Sequence, residues 1–135
     1  MKNLLLKNKK LINGNIYMAF TEKQELRNVK GISEKQKEKI SDFLQGAIYC
    51  WCKNRKEEWF SLRELMGGDN FYWQGTPLIP LYEKHMSKSS SAVKDAGKDA
   101  GWLLKSVIHN DKRVFETKVE ARIRQYRWVG GNDDI

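Results

Sequence analysis

Basic side chains are concentrated near the C-terminal end of the sequence, where aromatic residues alternate with them. Residues 112–128 contain two acidic residues and six basic ones: Lys112, Arg113, Lys118, Arg122, Arg124 and Arg127. Every second residue from Arg122 to Trp128 is a cation or an aromatic, so an extended strand would place them on one side. Such a surface suits contact with phosphates and stacking on bases or sugars. The alternative is a solvated strand face with Tyr126 and Trp128 partly buried.

A second group of cations lies just upstream. On a helical wheel of about 100° per residue, the centre of the polar face of residues 91–109 is Trp102. Around it lie Asp95, Lys98, Lys105 and His109. A tryptophan there forgoes the burial of a large apolar surface, so something should cover it. The candidates are the aromatic loop Phe71–Trp73, the N-terminal arm, nucleic acid, or a second subunit, which would make the protein a homodimer.

A remote alternative is that the protein is an enzyme whose carboxylates hold a metal ion. Glu116-Thr117-Lys118 fits half of a metal-dependent nuclease pattern, in which carboxylates hold Mg²⁺ and a lysine helps to orient the attacking water. Asp99 or Asp111 would have to supply the second carboxylate. Tripeptides of this kind are common in charged strands, so we assign no catalytic residue.

Cysteines and histidines give little sign of a metal site. Cys50 and Cys52 flank a tryptophan, and a four-ligand zinc site would need both His85 and His109 from far along the chain. Reduced structural thiols in a cytoplasmic protein are the simpler expectation. Phosphate-binding and dinucleotide-binding glycine motifs are also lacking in the sequence, so we expect no metal and no cofactor.

The overall composition favours an acidic partner. The chain has 135 residues and a formal net charge of +8, which suits one domain that binds nucleic acid or a membrane surface. No apolar run is long enough to span a bilayer, and Leu4–Leu6 is too short for a signal-peptide core. We therefore expect a cytoplasmic protein without a membrane partner.

Capping patterns predict the first elements. Ser33 and Gln36 have capping-box spacing and open a helix whose apolar face continues to Trp51. A brief strand is predicted at 58–60, then a capped helix from Leu62 to Met66, which Gly67-Gly68 stops. After a loop at 69–75, Thr76-Pro77 is predicted to open a helix that ends near Met86.

The strongest patterns follow a serine linker at 87–91. Residues 91–109 are predicted to form a helix whose buried face contains Val93, Ala96, Ala100, Leu103, Leu104, Val107 and Ile108. Gly97 and Gly101, together with Ala96 and Ala100, leave one flank small, which would admit a neighbouring helix. Two strands are predicted at 113–118 and 122–128, with an apex at 119–121 that lacks glycine.

The ends of the chain are expected to be less regular. Residues 1–30 are predicted to be a poorly ordered or short-helical arm, with a turn at Asn13-Gly14-Asn15 and a short helix at 21–28. The abrupt change in composition makes Met18 an alternative start. Residues 31–129 should form a single domain, and residues 130–135 a flexible tail.

These elements together resemble a protein family. The segments 59–66 (WFSLRELM), 100–118 (AGWLLKSVIHNDKRVFETK) and 124–128 (RQYRW) resemble the strand–helix, recognition helix and wing of winged helix-turn-helix proteins. The resemblance implies an α+β fold, helical with a small antiparallel ribbon. It also implies that Lys94, Lys98, Trp102 and Lys105 face DNA while Arg122 and Arg124 lie on the wing.

We therefore expect a non-enzymatic protein that binds nucleic acid, duplex DNA in particular, as a small transcriptional regulator would. The expected contact residues are Lys94, Lys98, Trp102, Lys105, Arg113, Lys118, Arg122, Arg124 and Arg127. The alternative is a protein–protein interaction module whose exposed aromatic patch consists of Phe71, Tyr72, Trp73 and Trp102.

Overall fold

The computed structural model describes residues 9–12, 15–18, 25–68 and 72–131 of the chain. These residues form an antiparallel strand pair, then four helices, then a second antiparallel strand pair. The elements are β1 (Lys9–Ile12), β2 (Asn15–Met18), α1 (Glu34–Asn54), α2 (Leu62–Leu65), α3 (Ile79–Met86), α4 (Ala92–Asn110), β3 (Arg113–Glu120) and β4 (Ile123–Gly131). The α+β class predicted from the sequence is confirmed.

Helix α1 begins with the predicted capping box. The Ser33 hydroxyl accepts a hydrogen bond from the Gln36 amide at 3.0 Å, and the Gln36 side chain accepts one from the Ser33 amide at 2.9 Å. Two backbone donors that helix geometry leaves without partners are thereby satisfied. Ile40, Leu44 and Ile48 recur every fourth residue and are fully buried, so α1 presents this stripe to the core.

The segment after α1 is attached to the C-terminal hairpin. Phe60 and Tyr126 exchange two backbone hydrogen bonds of 2.8 Å, so the strand predicted at 58–60 is reduced to a single bridge on β4. Ser61 then opens α2 with its predicted partner Glu64, whose carboxylate accepts a hydrogen bond from the Ser61 amide at 2.7 Å. Gly67, at φ +103°, continues the chain in a left-handed conformation and ends the helix.

Helix α3 begins later than predicted. Thr76 caps a preceding turn and not the helix, because its hydroxyl donates to the Trp73 carbonyl at 2.9 Å and accepts from the Leu78 amide at 3.1 Å. Ile79 is then the first helical residue, and Pro80 follows at a position where no backbone donor is needed. The predicted end at Met86 is confirmed.

Helix α4 is the most buried helix of the described chain, and its extent matches the prediction closely. Its core residues are Ala96, Ala100, Leu103, Leu104, Val107 and Ile108. Val93 was wrongly placed on this face, because its side chain is 58% exposed. Ser91 does not cap the helix with its hydroxyl; instead Ser89 accepts from the Ser91 amide at 2.9 Å and donates to Asp95 at 2.5 Å.

Strands β3 and β4 form the predicted hairpin with a tighter turn. Glu120 pairs with Ile123, and Ala121 and Arg122 adopt φ of +50° and +66° between them. Positive φ at both central residues is typical of a two-residue type I′ turn, here without glycine. The predicted apex at 119–121 was therefore placed too early. Phe115, Tyr126 and Trp128 are buried on the inner face of the hairpin.

The predicted boundaries at the two ends need correction. β4 continues to Gly131, which pairs with Arg113, so the tail begins later than residue 130; residues 132–135 lie outside the described part. In the N-terminal arm, β1 and β2 are paired antiparallel from Lys9 with Met18 to Ile12 with Asn15. Residues 25–28 are not helical, and the rest of the helix predicted at 21–28 is outside the described residues.

None of the helices within the described ranges is both long and apolar enough to cross a membrane.

The two cysteines should differ in reactivity. Cys50 is exposed, whereas Cys52 is fully buried, and burial raises the pKa of the Cys52 thiol to about 11. Because the thiolate is the reactive form, one thiol of the folded protein should react with a disulfide reagent at pH 8 and two after denaturation. Cys50→Ser should abolish the reaction of the folded protein. Equal rates for both thiols in the native state would contradict this.

Candidate nucleic-acid interface

A cleft lies between α4 and the end of the β3–β4 hairpin. It has a volume of about 740 Å³, within the usual range of ligand sites. One wall is α4 from Val93 to Lys105, and the other is the hairpin end from Val119 to Tyr126. Ser61–Arg63 and Trp73 complete the lining. We call this space the basic cleft.

The charge of the basic cleft has one sign. Its described lining contains no carboxylate and six cationic side chains: Arg63, Lys94, Lys98, Lys105, Arg122 and Arg124. Cations that share a concave surface reinforce one another's potential, and the low-dielectric walls focus it. The chemistry of this lining therefore favours a ligand with several negative charges.

The acidic residues of α4 are engaged outside the basic cleft. Asp99 contacts the Lys84 ammonium and the His85 ring nitrogen, both at 2.8 Å, on the side that faces α3. Asp95 accepts the hydrogen bond from Ser89, and this bond lowers its pKa. Neither carboxylate lines the cleft, so the lysines of α4 dominate its charge.

The two glycines of α4 form the floor of the basic cleft. A Cβ added to Gly97 or Gly101 would meet no atom outside the helix within 4 Å, so the glycines themselves do not contact a neighbouring helix. Of the small flank predicted from the sequence, only Ala96 and Ala100 are buried, and α3 packs against α4. Each glycine costs the helix about 1 kcal/mol relative to alanine, and its effect here is to keep the cleft open along the helix backbone.

Trp102 lines the basic cleft and is half-buried against the core. The Arg27 guanidinium lies over the ring, 4.6 Å from its centroid, and the Lys105 ammonium lies 5.0 Å from it. Of the covers considered from the sequence, the N-terminal arm is therefore the one observed. In the aromatic loop, Trp73 stacks on Tyr82 with 6.4 Å between the ring centroids, and Phe71 lies outside the described residues.

Lys105 is held in an unfavourable setting. Burial and the nearby Arg124 lower the pKa of its ammonium, and Arg27 adds to this, while Glu25 opposes it. A lysine that is both desolvated and close to other cations is destabilised in its charged form. An anionic ligand in the basic cleft would relieve this repulsion.

The hairpin arginines reach the basic cleft in two ways. Arg122 is exposed at the turn, where its positive φ helps the chain to reverse its direction. Arg124 lies on the inner face, and its guanidinium donates to the Thr117 hydroxyl at 2.8 Å. Tyr126 and Trp128, on the same face, are only 2% and 5% exposed. They cannot stack on bases, so for these two rings the alternative of burial is the observed one.

Arg113 is separated from the basic cleft and serves the core. Its guanidinium contacts both oxygens of Asp111 at 3.0 Å and lies between the rings of Tyr49 and Trp128, 5.1 and 5.5 Å from their centroids. The side chains of the pair are 1% and 3% exposed. Its place on the predicted contact surface is therefore corrected: it is a structural residue.

Lys118 and Arg127 lie on the outer face of the hairpin, since they alternate with the inward residues. Both cover the ring of Trp59, at 4.3 and 4.9 Å from its centroid. Lys118 also lies 3.4 Å from Glu120, and Arg127 is paired with Glu116. The structure thus brings together six of the nine predicted residues: Lys94, Lys98, Trp102, Lys105, Arg122 and Arg124.

Arg63 is the cleft cation that the sequence did not reveal. It belongs to α2, and only the packing of this short helix beside α4 brings it to the cleft. Its neighbours Ser61 and Glu64 gave a clear capping signal, which concerns the helix start and says nothing about the direction of Arg63.

The carboxylates considered for a metal site do not converge. Glu116 is paired with Arg127, Asp111 with Arg113, and Asp99 with Lys84 and His85. Within the described residues, no group of three His, Cys, Asp or Glu side chains could hold a metal ion. The structure does not assemble the ligands that the nuclease alternative requires from these residues.

The aromatic patch of the interaction-module alternative is also dispersed. Tyr72 is 81% exposed, but Trp73 is buried at 6% and Trp102 carries Arg27 on its ring. Phe71 lies outside the described residues. The observed positions leave Tyr72 as the one exposed ring among these described aromatics.

Comparisons of the chain with protein families, curated proteins and solved structures gave no match.

Two arginines of the hairpin should differ sharply in their effect on stability. Arg113→Ala should lower the free energy of unfolding by about 3–5 kcal/mol, because the buried Asp111 loses its cationic partner and keeps only neutral hydrogen-bond donors such as Gln45. Arg122→Ala, at an exposed turn, should change it by about 0.5 kcal/mol or less. Denaturant unfolding of both variants measures the difference. Similar losses would show that Arg113 is not held as described.

The pKa of Lys105 should respond to its charged neighbours. Arg124→Gln removes a nearby cation, so the pKa of Lys105 should rise toward its ordinary value. Glu25→Gln removes a stabilising carboxylate and should lower the pKa further. Side-chain NMR titration of the labelled lysine measures both. A pKa that moves in neither variant would refute the proposed proximity.

Proposed function

We propose that this protein binds DNA without chemically altering it, as a small regulator of winged-helix type. The observation that carries the proposal is the basic cleft, whose described lining holds six cationic side chains and no carboxylate. The backbone of a nucleic acid presents a row of negatively charged phosphates, and their neutralisation by lysine and arginine supplies most of the affinity of non-specific binding.

The order of the elements supports the winged-helix type. A helix, the Phe60 bridge, two short helices and the long α4 precede the hairpin, and the bridge joins the hairpin through Tyr126. In this proposal α4 acts as the recognition helix and the hairpin as the wing. Lys94 and Lys98, exposed in the first two turns of α4, would approach the groove, since residues near the start of a recognition helix contact base edges.

The hairpin end would contact the adjoining backbone. Arg122 is exposed at the turn, and Arg124 is held toward the basic cleft by its hydrogen bond to Thr117. Phosphate contacts of this kind position a protein on a duplex without reading its sequence. Base readout would then be limited to the start of α4.

The salt dependence of binding tests the proposal. Affinity for a duplex should fall steeply with salt, because each neutralised phosphate releases counterions. Arg122→Ala with Arg124→Ala should flatten the slope of log affinity against log salt by about two units if both arginines contact phosphates. Fluorescence anisotropy with a labelled duplex at several salt concentrations measures the slope.

A matched control distinguishes binding at the basic cleft from a general effect of the protein's net charge. Lys35→Ala with Lys39→Ala removes the same charge from the exposed face of α1 and should leave the slope nearly unchanged. Equal flattening by both pairs would show that binding is not localised at the cleft. The absence of binding to any duplex at low salt would overturn the proposed function.

A further inference from the structure

The inner part of the basic cleft is less exposed than its rim. Along α4, the exposed residues are Val93, Lys94, Lys98 and Asn110. Beyond Lys98, the cleft-facing residues Gly101, Trp102 and Lys105 are all half-buried. A double helix that rests on the rim would reach the first two turns of α4. The inner part of the cleft suits a narrower ligand.

The inner part combines an aromatic ring with cations on both walls. Trp102 lies on the α4 side with Lys105, and Arg124 lies on the hairpin side. A positively charged groove with an aromatic side chain is the usual arrangement for single-stranded nucleic acid, in which the backbone follows the cations and a base stacks on the ring. The open floor at Gly97 and Gly101 leaves room for that backbone beside the helix.

The cover on Trp102 is replaceable. Arg27 lies over the ring, but its side chain is 61% exposed, and its ion pair with Glu25 at 3.0 Å is equally exposed. Surface ion pairs and exposed cation–π contacts are weak compared with base–aromatic stacking. A planar guanidinium on the indole therefore occupies a position that a planar base could take in its place.

We infer that the basic cleft holds an unpaired strand of nucleic acid, with one base stacked on Trp102 in the place of Arg27. This inference rests on the proposed function and names its ligand more closely: unpaired nucleotides, at a strand end or in a single strand, bind in preference to paired ones. The duplex contacts of the rim and the unpaired contacts of the cleft then belong to one continuous surface.

The test compares three probes of equal length: a single-stranded thymidine oligonucleotide, its abasic counterpart and a duplex. The folded protein should bind the thymidine strand about 5-fold to about 150-fold more tightly than the abasic strand, the range expected for one stacked base. The duplex should bind less tightly than the thymidine strand. Trp102→Leu should weaken binding of the thymidine strand by a similar factor and leave the abasic strand unaffected.

Two further variants control the test. Trp102→Phe keeps a ring and should retain most of the preference for bases, whereas Trp59→Leu, on the outer face of the hairpin, should leave it unchanged. Should Trp102→Leu fail to fold, the thymidine and abasic strands compared on the unmodified protein decide the matter: equal affinity overturns the inference.

The outcomes separate the inference from the proposed function. If the duplex binds as tightly as the single strand and Trp102→Leu weakens neither, the inference is overturned while DNA binding stands. If no probe binds at low salt, the proposed function fails as well. Thymidine monophosphate that competes as effectively per nucleotide as the strand would also overturn the inference, because a free nucleotide would then be the ligand.

Discussion

The burial of one face of α4 is the interaction on which the rest of the structure depends. Its core residues range from alanine at the start of the helix to leucine, valine and isoleucine further along, and the helix packs against α1, α2 and α3. Helix geometry then fixes the direction of every other side chain on α4. Lys94, Lys98 and Lys105 share a cleft because Ala96, Ala100 and Leu104 are held in the core.

The protein uses its charges in two different ways. Where a cation supports the fold, it has a close acidic partner, as Arg113 has in Asp111 and Arg127 has in Glu116. The lining of the basic cleft holds six cations and no carboxylate, and burial and the nearby Arg124 lower the pKa of Lys105, while Glu25 opposes this. A cluster of this kind works against stability in the free protein. Natural proteins are expected to keep such destabilising clusters at surfaces that bind a ligand.

Local signals allowed much of the fold to be predicted. The capping boxes at Ser33 and Ser61 act through hydrogen bonds between neighbouring residues, so the sequence alone identifies them. The buried face of α4 follows from its periodicity, apart from Val93, which lies in the first turn and is exposed. The turn at Ala121-Arg122 was misplaced because left-handed backbone is ordinarily supplied by glycine or asparagine.

The candidate site was only partly predictable, because strand alternation tells which residues share a face but not which face is buried. Arg113 and Arg124 looked equivalent in sequence, yet one is sealed between two rings and the other lines the cleft. Arg63 joins the cleft through tertiary packing alone. The cover on Trp102 likewise depends on Arg27, which lies far from it in the chain.

Chemical-shift mapping with a short single-stranded oligonucleotide tests the central claim most directly, namely that α4 and the hairpin end form one binding surface. The account predicts the largest amide changes at Gly97, Gly101 and residues 121–124, together with a change at the indole N–H of Trp102. Changes centred on Trp59 and Lys118 of the outer face, or on the exposed face of α1, would contradict it.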